Sequence, residues 1–163
     1  MHLRPATAAD LPLLNDIAWA AKASWGYPLT WLEGFRSELT IELRHLDEWT
    51  VVVAEMGQQA AAFYAINPTE PEWTLEHLWV HPRAQRSGLG RALVEDAQRK
   101  TVAAGRSGLT VDADPHAEAF YLHLGACRVG LITAPMPGDP ARVRPQLWLP
   151  GRPNIGASAG GAS

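Results

Sequence analysis

Apolar positions along this chain recur at helical spacing in some stretches and at strand spacing in others, and the change from one period to the other lays out the elements. A short stretch around Leu3 reads as a first strand, and Thr7-Ala8-Ala9-Asp10 has the form of a capping box. Leu14, Ile17, Ala18 and Ala21 then repeat along one face of a helix. Thr30-Trp31-Leu32-Glu33 repeats the capping pattern and predicts a second helix with Leu32, Phe35 and Leu39 inward, which Gly34 weakens by about 1 kcal/mol relative to Ala. Trp25-Gly26-Tyr27-Pro28 connects the two. Residues 49–55 and 59–66 read as a hairpin across Met56-Gly57-Gln58, and a Pro-punctuated loop over 67–72 leads to a strand containing Glu76. A helix over 89–104 buries Leu89, Leu93 and Ala97, and residues 108–113 form a short strand. Asp114 as N-cap and Pro115 at the first helical position predict another helix, closed by Gly125. Two strands follow, near 128–133 and 146–149. The order is strand, two helices, three strands, helix, strand, helix, two strands, which is a single α/β domain over residues 1–150 with helices flanking a mixed sheet. The tail 151–163 is Gly, Ser, Ala and Pro with Ile155 as its one large apolar residue, a composition that predicts disorder.

Composition narrows what the domain can do. With 163 residues and 47% hydrophobic content there is ample material for one core. A net charge of −3 leaves no basic stripe for tracking a phosphate backbone, so nucleic acid is not an expected partner despite seven tryptophans. The lone Cys127 excludes an intrachain disulfide and reads as a small core filler in a reducing compartment. The first residues carry no apolar leader and no run is long enough to span a bilayer, so a soluble, cytoplasmic protein is expected. The histidines lack zinc-site spacing, and no metal is expected.

The candidate chemistry centres on Gln85-Arg86-Ser87-Gly88-Leu89-Gly90, which lies between a strand pattern ending at Val80 and a helical pattern beginning at Leu89. Glycines at 88 and 90 allow close backbone approach to a ligand, and the first N–H groups of the following helix are unpaired donors suited to an anion. Arg86 adds positive potential. The stretch is neither a Walker loop, which needs Gly-Lys-Ser/Thr after its glycines, nor a dinucleotide fingerprint, which needs a small residue where Leu93 stands.

This stretch resembles the Gln/Arg-x-x-Gly-x-Gly/Ala signature of the GCN5-related N-acetyltransferase (GNAT) family. Leu75-Glu76-His77-Leu78-Trp79-Val80-His81-Pro82 is similar to that family's central strand and the turn after it, and the run from Asp114 to Ala126 is similar to its last helix. Asp114 replaces the usual Asn and Ala126 the usual aromatic. The resemblance implies a GNAT-like fold and acetyl-coenzyme A as co-substrate. Its pyrophosphate would lie on Gln85, Arg86, Ser87, Gly88, Leu89 and Gly90, and its pantetheine arm along the backbone of Leu78 and Val80, with Asp114 either a further pantetheine contact or simply a helix cap. A backbone N–H near Leu78 would polarise the thioester carbonyl.

The resemblance also implies two catalytic side chains. Glu76 would accept the ammonium proton directly or through one water, the alternative being a solvated or Arg-paired strand carboxylate. Tyr121 would protonate the departing thiolate, the alternative being a core aromatic; with consecutive helical residues about 100° apart, Phe120 and Leu124 are expected to take the core role. In a regular strand His77 faces away from Glu76 as a structural histidine, and a bulge would reverse that assignment. Family members build the amine pocket from the regions holding Trp25, Tyr27, Trp31 and Phe35 and from the loop between Ala134 and Val143, though these four aromatics would serve equally as helix-to-sheet core. The expected activity is acetyl transfer to a primary amine of a small molecule or peptide, with no nucleic-acid or membrane partner and with a homodimer left open. A non-catalytic acyl-coenzyme A-binding or sensor domain is the alternative, against which retention of both Glu76 and Tyr121 argues.

Overall fold

A computed structural model describes residues 1–154. Seven strands form one sheet in the order β1-β2-β3-β4-β5-β7-β6, where β1 is His2–Pro5, β2 Thr50–Met56, β3 Gln59–Asn67, β4 Thr74–Val80, β5 Gly108–Asp112, β6 Cys127–Thr133 and β7 Val143–Pro150. All neighbours are antiparallel except β4 and β5. The helices are α1 Leu11–Ala23, α2 Leu29–Leu39, α3 Leu43–Glu48, α4 Leu89–Ala103 and α5 Glu118–His123. The expected mixed-sheet α/β domain is therefore observed.

Strand periodicity divides the core in two. Val52, Ala54, Ala62, Tyr64 and Ile66 point to one face and pack with Leu89, Leu93, Val94 and Ala97 of α4. Val51, Val53, Phe63 and Ala65 point to the other and pack with Leu14, Ile17 and Ala18 of α1 and Phe35 and Leu39 of α2. Both faces of β2 and β3 are covered, so these strands read as near-continuous apolar runs rather than alternating ones. Each fully buried Leu or Ile in these layers contributes roughly 1.5–3 kcal/mol.

Several local expectations shift. The capping box at Thr7 forms, with the Thr7 N–H donating to Asp10 Oδ2 at 2.7 Å, but one 3-10 turn precedes α1. Thr30 does not cap α2: the helix begins at Leu29, and the Pro28 carbonyl accepts from Trp31 and Leu32 N–H. The sequence reading missed α3, a six-residue helix too short to show a period, whose start is fixed by the Glu42 N–H donating to His45 Nδ1 at 2.9 Å. The last helix begins at Glu118, three residues after Pro115, because residues 115–117 form a turn in which Asp114 Oδ1 accepts the His116 N–H. Cys127 is exposed on the outer strand rather than in the core. The chain is still held where disorder was expected to begin: Gly151 N–H donates to Ser107 O at 2.8 Å and Arg152 pairs with Glu95. Residues 155–163 of that tail lie outside the described residues. Among the described residues no helix is long and apolar enough to cross a membrane.

Two features of β4 position the site. Parallel strands β4 and β5 meet at one bridge, Thr74 to Thr110, reinforced by a 3.0 Å contact between their hydroxyls, and then splay. The β4 edge beyond Thr74 is thereby left without a partner strand, so backbone donors and acceptors along Leu78–Val80 remain available. Register against β3 also skips a residue: Ile66 pairs with Leu75 and Ala65 with His77, which makes Glu76 the extra residue of a bulge.

Candidate active site

Two cavities lie against the splayed strands, and Trp79 borders both. The first, of about 430 Å³, runs from the β4 edge to the start of α4. It brings together Leu78, Val80, Gln85, Arg86, Gly88, Gly90 and Tyr121 of the expected site, and also Trp25. Sequence reasoning did not assign Arg91, His116, Ala117 and Phe120, which share its wall.

The glycine loop owes its shape to particular residues. Gly88 precedes α4 at φ +86°, a left-handed conformation that an L side chain would strain. Gly90 has ordinary φ but no room: a Cβ there would come within 3.2 Å of the Phe120 ring and 3.7 Å of Val80. Arg86 is itself left-handed at φ +63°, and this strain at a non-glycine residue directs its side chain to the cavity wall. No side chain caps the helix, so its first N–H groups remain free toward the loop. Two expected phosphate contacts do not line the cavity. The Ser87 hydroxyl turns back to donate to the Ala84 carbonyl, and the Leu89 side chain is 2% exposed in the core.

Tyr121 and Phe120 exchange the environments expected of them. Tyr121 is buried and packs with the α4-side core, whereas Phe120 is 37% exposed and its ring covers Gly90. Both still line the first cavity, their centroids 5.2 Å apart, because the six-residue helix lies along its wall. Burial pushes the Tyr121 hydroxyl well above the ordinary tyrosine value, which keeps it protonated at neutral pH.

The second cavity, of about 350 Å³, opens between α2, α3 and the splayed strands. Glu76, Phe35 and Asp114 line it, together with His77, His45, Trp49, Asp112, Glu38 and Arg144. The bulge is why Glu76 and His77 border one cavity instead of opposite faces, as a regular strand would place them. Glu76 is exposed and accepts from Asn67 Nδ2 at 3.1 Å. His77 is poorly placed to be a base: the Trp79 indole N–H, which can only donate, occupies its Nδ1 at 3.0 Å, so the neutral ring carries its proton on Nε2 and has no free lone pair. Burial pushes this imidazole down to about 4.

Asp114 is committed to a network inside the protein. Lys22 Nζ donates to its Oδ2 at 2.6 Å and the Tyr27 hydroxyl to the same oxygen at 2.8 Å, while the His116 N–H donates to Oδ1 at 2.8 Å. Arg142 lies 3.9 Å from Oδ2. Burial pushes this carboxyl up, but the Lys22 ammonium and the donated hydrogen bonds more than reverse it and hold it below the usual carboxylate range. Asp114 does not cap α5, whose N-cap is Ala117; it anchors the turn before that helix, and both of its oxygens accept from within the protein.

The four aromatics expected to wall an amine pocket divide. Trp25 lines the first cavity and Phe35 the second, while Tyr27 and Trp31 line neither. Tyr27 serves Asp114, and the Trp31 indole donates to Pro137 O at 2.8 Å. Three of the four, with Trp79, surround an internal cation: Lys22 Nζ lies 4.2 Å from the Phe35 centroid, 5.4 Å from Tyr27, 5.8 Å from Trp25 and 5.9 Å from Trp79. The signal was present in the sequence, since Lys22 continues the Leu14, Ala18 series at four-residue spacing into a buried stripe. Among the described residues no cluster of three or more His, Cys, Asp or Glu could hold a metal ion.

Comparison with known proteins bears on the fold and the family. No curated protein matches the sequence. Solved structures match the fold. A GCN5-related N-acetyltransferase from Rhodopseudomonas palustris superposes with a TM-score of 0.75 at 19% identity, over 91% of this chain and 94% of that one. The ribosomal-protein-S18-alanine N-acetyltransferase of Escherichia coli gives 0.69 at 22% identity, over 97% of both chains. The PaiA N-acetyltransferase of Thermoplasma acidophilum, solved in complex with coenzyme A, gives 0.68 at 13% identity, over 91% and 98%. A sequence model described as the acetyltransferase (GNAT) domain matches residues 30–131, more than half the chain and including the bulged strand and the glycine loop. This chain belongs to the GNAT acetyltransferase family.

Proposed function

We propose that the protein transfers an acetyl group from acetyl-coenzyme A to a primary amine of a small molecule or peptide. The observation that carries this reading is the pair of cavities that share Trp79 as a wall, one bordered by the free β4 edge, the glycine loop and Tyr121, the other by Glu76. A binding-only domain has no use for the second cavity.

The residues present fit the co-substrate. Free N–H groups at the start of α4, with Arg86 and Arg91 beside them, suit a pyrophosphate. The unpaired backbone of Leu78–Val80 suits the amide-bearing pantetheine arm, and Phe120, Val80 and Trp25 give the cavity apolar walls. The thioester supplies an activated acetyl group. A β4 backbone N–H near Leu78 donates to the carbonyl oxygen as charge develops there, at a fixed position and without reorganisation. Glu76 takes the ammonium proton from the acceptor, directly or through one water, so that the attacking nitrogen has a lone pair. Tyr121, kept protonated by its burial, gives its hydroxyl proton to the departing sulfur and is reprotonated by the second proton that the nitrogen sheds, through solvent, as the amide forms.

The test is release of free coenzyme A from acetyl-coenzyme A in the presence of a primary-amine library, followed with a thiol reagent. Amine-dependent release is the expected result. Binding of acetyl-coenzyme A with no release for any amine would favour the sensor reading.

A further inference from the structure

From the second cavity we infer that the acceptor is a zwitterion of about dipeptide size, whose carboxylate is read by Arg144 while its amine lies at Glu76. The inference rests on the acetyl-transfer reading and adds the substrate class. Arg144, on β7, lines the cavity and its Nε is buried without any hydrogen-bond partner. Its nearest acid, Glu38, approaches only Nη1, at 3.7 Å, and is itself 64% exposed. A guanidinium presents a planar fork of donors matched to a carboxylate, and a buried N–H left unpaired is a standing demand for an acceptor.

Of the other charges around the cavity, Lys22 is paired with Asp114 and Arg44 with Glu42, while Asp112 accepts from Gln146 Nε2 at 3.2 Å. Arg144 is the cation there that keeps an unpaired donor, and Glu76, which accepts from Asn67, is the carboxylate on the bulged strand. These two stand on β7 and β4 with β5 between them, so their backbones are at least two strand spacings apart, roughly 10 Å. A ligand that reaches both residues across that spacing is best served by an amine and a carboxylate several bonds apart, as in a dipeptide. Phe35, Trp49 and Leu39 offer apolar wall between them.

The experiment compares the dipeptide Ala-Phe with its C-terminal amide as acceptors, measuring kcat/KM by coenzyme A release and binding by calorimetry to the coenzyme A-loaded protein. Wild type should prefer the free acid by about tenfold or more, and Arg144→Gln should erase that preference by raising KM for the acid while leaving the amide within a few-fold. Equal use of acid and amide by wild type, a proportionate loss of both in Arg144→Gln, or neither binding nor turnover of the dipeptide would each overturn the proposal. The wild-type comparison needs no variant to fold. Should acetyl-coenzyme A bind and other amines be acetylated while the dipeptide is ignored, the substrate class falls and the acetyl-transfer reading stands; absence of any amine-dependent release removes that reading itself.

Discussion

A buried ion pair stabilises only while both partners are present. Replacing Lys22 by Met leaves the Asp114 carboxylate with Arg142 at 3.9 Å as its remaining cation, and the expected cost is about 3 kcal/mol in urea unfolding at neutral pH. The double change Lys22→Met with Asp114→Asn removes both charges but also the partner of Arg142, and should recover part of that loss; if it adds a further loss instead, the Lys22–Asp114 pair is not the stabilising unit described here. Because the folded-state pKa of Asp114 is depressed, its contribution is fully present above the ordinary carboxylate value and is lost as pH falls through the lower folded value. Acid unfolding of wild type should therefore be steeper in that range than that of the double variant. Among catalytic candidates, Tyr121→Phe keeps the packing and removes one hydroxyl, and turnover should fall by about 10²- to 10⁴-fold with cofactor affinity nearly unchanged. A change of only a few-fold would make Tyr121 a core aromatic. Glu76→Gln should lose most rate near neutral pH and regain part of it in alkaline solution, where the free amine is abundant without help. A profile parallel to wild type at every pH would remove Glu76 as base, and His77 could not simply replace it while Trp79 occupies its Nδ1.

At the scale of elements, the glycine loop and β4 cooperate through α5. Gly88→Val meets no neighbour but must adopt φ +86°, whereas Gly90→Val keeps its backbone and displaces Phe120 from the cavity wall. Both should weaken coenzyme A binding, Gly88→Val with the larger loss of thermal stability and Gly90→Val with the smaller; the reverse order would contradict this division of roles. The strands, α1, α4 and the loop between β4 and α4 were legible in the sequence because each has a period long enough to register or a glycine at a forced position. Short elements were not. Six-residue α3 shows no period, and α5 is so brief that a helical-wheel argument assigned Phe120 to the core when its ring covers Gly90. The Glu76 bulge could be posed as a condition but not decided, because it exists only in the register with β3. The aromatic residues near Pro28 read as an amine-pocket wall or as core, and the cation three of them surround, Lys22, comes from another helix and becomes visible only when α1 and α2 pack together.

For the molecule as a whole, the sheet is continuous except where β4 and β5 part after Thr74, and both cavities lie against that break with Trp79 in the wall of each. Donor and acceptor would then approach from opposite sides of one opening, which suits a direct transfer between them and leaves no role for an acetylated side chain. A ligand filling the first cavity would also bridge β4, the start of α4 and α5, so cofactor should raise the unfolding temperature with the logarithm of its concentration once that exceeds Kd. Calorimetric titration of acetyl-coenzyme A into wild type and into Gly88→Val tests the central claim most directly. The account predicts one site per chain in wild type and severely weakened binding in the variant; saturable binding that is equally strong in both, or no binding heat and no thermal shift in wild type, would contradict it.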